Sequence, residues 1–472
     1  MSGLRRAKPQ QYQPVTAGGT RRRGRRAGVA LLMVVSIIAV LSVVLVEFSS
    51  TARTHLSTGI NVRDDVRATT IADTALVMTR ACLDQTAWGP MGGAMKNMDM
   101  EKLCGLMLGI FVKGRVDLPI GGLSLELQGI KGLGLESGEV EELSLISEQS
   151  FIGLAGLYCP PTTISCSPRI SLARLLRTQF CDPRVAHVFE KEQEDGHRYT
   201  REEVVGNLID WIDADDNRIY IDPLTWQFQA GAGEGEDSYL REGGLKYRSK
   251  DAPFDSIEEL RMVRGINDEL YNFLKDKISV HAGSSAGGQG ASVGVDINTA
   301  GPEVIATLLR AASPAARQLE SGTCGEDPGT ANMAMDQIFM IYANLIVRAR
   351  TAKQGFFLTK PFKNPNQFIE VAKDPLTAIV NAQTQLGLPV TSQDVLNNLL
   401  GPDIGGTFAQ TVYPLFQSGQ LVLWDDLKRS VRTQNNLYRL RVRGQVGNMS
   451  RQMFAVLRME GGTVRTLYYR EE

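Results

Sequence analysis

The sequence predicts an α+β protein: a long N-terminal helix, an antiparallel sheet, and a large all-α domain inserted into that sheet. Three observations predict it. Residues 27–46 are uncharged and almost wholly apolar. Much of the stretch between 167 and 400 places apolar residues at helical spacing. The last thirty or so residues alternate with period two around glycine turns.

The N-terminal helix comes first. The segment AGVALLMVVSIIAVLSVVLV carries no charge and only two hydroxyls, Ser36 and Ser42. At about 1.5 Å per residue it spans roughly 30 Å, one hydrocarbon core. Five arginines at 21–26 precede it and argue that this end stays cytoplasmic. A cleaved secretory signal has a shorter apolar region, about 7–15 residues, followed by a small-residue cleavage site. Here EFSSTARTHL follows instead. Leu56, Ile60, Val66, Ala75 and Leu76 continue an apolar stripe, so one helix is expected from about Val29 to Cys82, with Gly59 a soft point. A plain signal anchor is the rival.

Charge and composition exclude several classes. The 472 residues are 43% hydrophobic and 22% charged, ordinary globular values. The formal net charge of −1 hides an asymmetry, because residues 1–28 hold eight basic residues and no acid, which leaves −9 on the rest. Such a body does not attract nucleic acid as a whole. Four histidines make a His-based metal centre a poor expectation.

Residues 105–157 read as strands joined by glycine turns, as in LSLELQGI at 123–130. Helices follow at 171–180 and 201–217. Segment 228–250, with GAGEGED and EGG, reads as a loop. Residues 256–278 read as helix, glycine turn and helix, with a capping box from Ser256 and Glu259. Segment 281–294 reads as a loop. Residues 296–312 read as a helix with Pro302 near its first turn, and helices resume at 332–350, 366–384 and 392–400. Three antiparallel strands close the chain, turning at Gly447-Asn448 and Gly461-Gly462.

Several blocks follow one another along the chain: RRAGVALLMVVSIIAVLSVV, NLIDWIDADDN, EDSYL, PFDSIEELRMVRGINDELYNFL, VDINTAGPEVIATLL and the closing YRLRVRGQVGNMSRQMFAVL with LYYRE. Together, and in this order, they resemble general secretion pathway protein K, the minor pseudopilin family of type II secretion. Residues 85–165 and 313–415 match poorly. The resemblance implies a type IV pilin-like fold with the helical domain inserted between its strands. The expected organisation is a leader at 1–28, a transmembrane and amphipathic helix at 29–82, and a first α/β part at 83–166. The helical insertion then covers 167–415, and closing strands cover 416–472. A prepilin peptidase is expected to cut between Gly28 and Val29. Most pilins carry glutamate at the fifth mature position; here it is Met33, a departure characteristic of this family. The resemblance places the subunit in the inner membrane with its body in the periplasm, at the pseudopilus tip. Expected partners are the I, J and H minor pseudopilins and the major pseudopilin, with secreted substrate or the outer-membrane secretin as further contacts. No nucleic-acid partner is expected.

The acidic cluster is the strongest site candidate. Asp210, Asp213, Asp215, Asp216 and Asp222 fall within 13 residues, and Glu234, Glu236 and Asp237 follow across glycines. Calcium takes six to eight oxygens, mostly carboxylate and carbonyl. Asp213, Asp215 and Asn217 imitate the start of an EF-hand loop, but Arg218 and Leu224 stand where it needs Gly and Glu. The expected calcium set is Asp213, Asp215, Asp216, Asp222, Glu236 and Asp237, and the resembled family binds calcium in this domain. A solvated helix end with capping aspartates is the alternative. The turn at Val263–Ile266 resembles a helix-hairpin-helix, but Asp268 and Glu269 beside it would repel phosphate, so packing is its expected role. Gly283–Gly287 matches G-x-S-x-G without the strand-to-helix context that the motif needs. No catalytic constellation emerges, and no enzyme is expected. Six cysteines, at 82, 104, 159, 166, 181 and 324, all follow the apolar segment and would meet an oxidising compartment. They allow 15 pairings, of which Cys159 with Cys166 is the shortest closure.

Overall fold

A computed structural model of the chain describes residues 24–84, 98–109, 115–117, 124–126, 138–159, 166–222, 227–235, 247–282, 294–316, 331–354 and 359–471. The chain divides into two units, Met1–Asp64 and Asp65–Glu472, and the boundary falls inside helix α1 (Gly24–Leu83).

In the first unit, α1 is a bare apolar rod from Val29 to Val46. The large apolar side chains from Val29 to Val46 are 52–71% exposed. Helical periodicity is absent because every face is apolar, as in a helix surrounded by lipid. Gly59 leaves the helix unbroken.

In the second unit, α1 becomes one-sided. Ala68, Ile71, Ala72, Ala75 and Leu83 are buried. That spacing differs from the expected stripe: Ala75 is buried, but Val66 is 60% exposed and Ile71 takes the central place. The buried stripe packs on one face of a four-stranded sheet, with Leu440, Val442, Ala455 and Leu457 opposite. Strands β1 (Arg115–Asp117) and β2 (Ser124–Glu126) pair with each other, and the main sheet consists of β3 (Glu139–Ser147), β10 (Leu437–Val446), β11 (Met449–Glu460) and β12 (Thr463–Glu471), ordered β12-β11-β10-β3 and antiparallel throughout. Gly447 at φ +58° opens one two-residue turn, and Gly461 and Gly462 at +60° and +94° form the other, conformations that suit a tight hairpin. Helix and sheet approach closely at Gly444, where a Cβ would sit 2.4 Å from the carbonyl oxygen of Ala68. Asp65 and Arg451 add a paired carboxylate–guanidinium contact, with Nη2 to Oδ2 at 2.8 Å. Helix α2 (Met100–Leu108), capped by Asp99, joins the same core, and a Cys82–Cys104 disulfide ties it to the end of α1.

Between adjacent strands β3 and β10 lies the helical body. Its core runs from Ile152 to Val431 and includes Phe339, Tyr342, Phe362, Phe368 and Phe416, so the described part of 313–415 belongs to it. Its helices are α3 (Ser167–Phe180), α4 (Arg201–Asp210), α5 (Asp268–Leu274), α6 (Pro302–Ala311), α7 (Ala331–Gln354), α8 (Pro365–Lys373), α9 (Pro375–Gln385), α10 (Ser392–Leu400), α11 (Pro402–Thr407), α12 (Tyr413–Gln417) and α13 (Trp424–Arg429). Pro375 breaks the single helix expected at 366–384 into two, because proline lacks the amide a continuing helix needs.

Two short parallel ladders hold the body's entrance and exit. On the way in, β4 (Ile152–Gly153) pairs with β7 (Ile278–Ser279); on the way out, β9 (Val431–Arg432) pairs with β8 (Val295–Asp296). At the exit the buried Asn298 amide reaches three backbone groups. Its Nδ2 donates to the carbonyls of Phe362 (3.1 Å) and Thr433 (3.0 Å), and its Oδ1 accepts from the Phe362 amide (2.9 Å).

Three local expectations need correction. Strands β5 (Asn217–Ile221) and β6 (Phe228–Gly235) pair antiparallel, where a loop was expected from 228. Gly231 belongs in this pair because a Cβ there would meet the Tyr220 ring at 2.9 Å. Residues 257–262 form a 3-10 turn in place of an α-helix, and Ser256 makes no capping hydrogen bond; Glu259 instead accepts from the Asp255 amide and pairs with Lys250. Capping boxes lie instead at Thr200 and Glu203, where α4 starts, and at Thr391 and Asp394, where α10 starts.

Candidate functional site

The acidic loop begins where α4 ends. Asp210 caps the turn by accepting from the Ile219 amide at 2.9 Å. Asp213 is 4% exposed, and its Oδ2 takes a hydrogen bond from Nη2 of Arg169 at 3.3 Å. Arg169 is itself buried and donates Nε to the Leu157 carbonyl at 2.7 Å. The other oxygen of Asp213, Oδ1, is sealed from solvent without a hydrogen-bond partner among the described residues. Burial pushes the Asp213 carboxyl up to about 7, outweighing the pull of Arg169, and Asp215 adds to the rise.

The remaining acids point elsewhere. Asp215 Oδ1 accepts from the backbone and side-chain nitrogens of Asn217, at 2.9 and 3.0 Å. Asp216 is exposed, and the Asp222 amide donates to the Gln227 carbonyl beside the β5–β6 pair. Glu236 and Asp237 lie outside the described residues. Among the described residues, no three acids, cysteines or histidines converge as a metal would require. The buried Asp213 oxygen suits a cation, but a full calcium shell needs oxygens from beyond this set. Arg169, 44 positions from Asp213, was missed by sequence reasoning because an isolated arginine on a helical pattern carries no signal of its partner.

The glycine turn at 263–266 faces inward. Gly265 has φ +81°, and a Cβ there would lie 2.7 Å from Val204 Cγ2. Asn207 Nδ2 donates to the Arg264 carbonyl and Gln193 Nε2 to that of Gly265, each at 3.1 Å. The turn therefore locks α4 to α5.

The expected Cys159–Cys166 bridge is present, with Cα atoms 6.1 Å apart. Cys181 is disulfide-bonded as well. Cys324 lies outside the described residues, as do the side chains of residues 1–27. Gly28, Val29 and Met33 lie on the exposed apolar part of α1, with Met33 61% exposed. Among the described residues, α1 is the one helix long and apolar enough to cross a membrane.

A solved chain in the crystal structure of the GspK-GspI-GspJ complex from the type 2 secretion system of enterotoxigenic Escherichia coli is similar, at 14% identity and a TM-score of 0.37. The similarity covers 72% of this chain and 81% of that chain. No family model and no curated protein sequence matches. The fold is α+β: a long N-terminal helix on an antiparallel sheet, with a helical body between its strands.

Proposed function

We propose that this chain is a minor pseudopilin of a type II secretion system, at the tip of the periplasmic pseudopilus, where it helps start filament assembly. One observation carries the reading. A single helix is apolar on all faces over its first half and becomes the central support of a sheet in its second. That is the form of a subunit stored in lipid and drawn into a helical bundle. Residues 1–28 are then a leader removed by a prepilin peptidase after Gly28. The proposed partners are the I, J and H minor pseudopilins and the major pseudopilin, with secreted substrate or the secretin beyond them.

Two features favour the tip over the shaft. The helical body is far larger than the sheet that carries it, and such a body repeated along a thin filament would clash with its copies. Met33 also supplies no carboxylate to pair with a neighbouring amino terminus, and a tip subunit has no earlier neighbour to need one. An intact mass of the membrane-extracted protein tests the reading. A chain beginning at Val29 is expected; one beginning near Met1 makes it a signal-anchored protein.

Calcium binding at the acidic loop is a second proposal, favoured by the buried oxygen of Asp213 that has no partner among the described residues. Calcium over chelator is expected to raise the melting temperature of the wild type and to leave Asp213→Asn unchanged. An identical melt in both conditions for the wild type sinks it.

A further inference from the structure

A cleft of about 370 Å³ opens where the outer face of the sheet meets the 256–281 segment of the helical body. It belongs to neither the acidic loop nor the membrane helix. Period-two alternation in β10 turns Leu440 and Val442 toward α1, and Arg439, Arg441 and Arg443 toward the opposite face. Two of these three guanidiniums are matched. Arg439 is paired to Glu148, and Arg443 reaches Glu141 at 3.7 Å, Glu142 at 3.8 Å and Gln452 Oε1 at 3.1 Å.

Arg441 is not. Among the described residues it has no hydrogen bond and no ion pair, and its guanidinium lies 5.8 Å from the centroid of the Phe454 ring. It is half-buried at the cleft wall. The other charges of the cleft balance: Glu148 pairs with Arg439, Glu258 pairs with Arg470, and Lys275, whose Nζ donates to Asn272 Oδ1 at 2.9 Å, is matched in number by Asp276. Burial holds His281 below the usual imidazole range, so it adds no charge at neutral pH. One positive charge is left over. The wall beside it is aromatic, with Phe454 and Tyr468 in edge-to-face contact at 5.8 Å.

We propose that this cleft binds a monoanionic carboxylate carrying an aromatic or apolar group, with Arg441 as its counter-ion and Phe454 and Tyr468 as its wall. A single uncompensated guanidinium suits a carboxylate, which it can grip with two parallel hydrogen bonds. A polyanion would need more free cations than the cleft offers. The volume lies at the lower end of ordinary small-ligand sites, enough for one or two amino-acid residues.

The test is calorimetric titration of the detergent-solubilised full chain. N-acetylphenylalanine is expected to bind saturably. Its carboxamide, N-acetylphenylalaninamide, and the variant Arg441→Gln are each expected to weaken binding at least tenfold, and Arg443→Gln to leave it within twofold. N-acetyl-Gly-Gly-Phe distinguishes the sources: equal or tighter binding assigns the cleft to a protein's chain terminus, weaker binding to a small organic acid. Absence of saturation, or equal binding by the amide, overturns the proposal. The amide comparison needs no variant, so it decides even if Arg441→Gln folds poorly.

Discussion

Arg439 on β10 holds Glu148 in a buried two-point grip, Nε to Oε2 at 2.5 Å and Nη2 to Oε1 at 2.8 Å. The residues are 291 positions apart in sequence. The hydroxyl of Ser279 also donates to Oε1, at 2.5 Å. One carboxylate therefore ties a central strand of the sheet, the turn leaving β3, and the strand β7 of the helical body. Removing one partner strands a buried charge, so Glu148→Ala is expected to cost about 3–5 kcal/mol in urea unfolding. The double variant Glu148→Leu with Arg439→Met is expected to recover most of that. A loss under about 1 kcal/mol for the single variant would show that the pair does not hold the junction.

Gly444 sets how closely α1 lies on the sheet. Gly444→Ala places a methyl against the Ala68 carbonyl and is expected to cost about 1–3 kcal/mol through overpacking. Hydrogen exchange at residues 65–83 is expected to rise. Gly406→Ala, where the nearest atom to an added Cβ is 3.9 Å away, is the matched control and is expected to be neutral or mildly stabilising.

Stability is expected to fall as pH rises from about 5 to 8. Burial, with the nearby Asp99 carboxylate, pushes Glu101 up to about 8, while the unfolded chain titrates near 4.5. Between those values the folded state holds more protons than the unfolded one, so raising the pH favours unfolding. Melting curves across that range check it. Glu101→Gln is expected to flatten the slope, and an unchanged slope would remove Glu101 as its cause.

The Cys82–Cys104 bridge closes a separation of 22 residues between α1 and α2. A loop of that size is worth roughly 3 kcal/mol in chain entropy. Cys82→Ser with Cys104→Ser is expected to lose about that much. The readout is denaturant unfolding without reductant, so that the Cys159–Cys166 bridge stays closed in both proteins.

What could be read from the sequence depended on whether the deciding interaction was local. The closing meander was legible because alternation and glycine turns lie within one stretch of chain. The apolar half of α1 was legible for the same reason. The partner of β10 was not: β3 lies in a Gly- and Leu-rich region, and its pairing is decided by contacts across the whole helical body. The ladders β4·β7 and β8·β9 are two residues long, too short for any periodicity. In the acidic loop, the run of aspartates was visible, but their separate engagements with Arg169, Asn217 and Ile219 were not. The expected insertion limits, 167 and 415, follow helical periodicity, whereas the core also draws on Ile152, Leu157, Trp424 and Val431.

The adjacency of β3 and β10 has a consequence for how the chain matures. A ribosome releases α1 well before β10, and pairing across so long a separation is slow. Until that strand arrives, the buried stripe of α1 from Ala68 to Leu83 has no central strand to rest on. The seat of the first helix is thus built by strands made much later, and a nascent chain stalled before residue 437 has an unsupported stem. The packing of the N-terminal helix waits on strands made long after it.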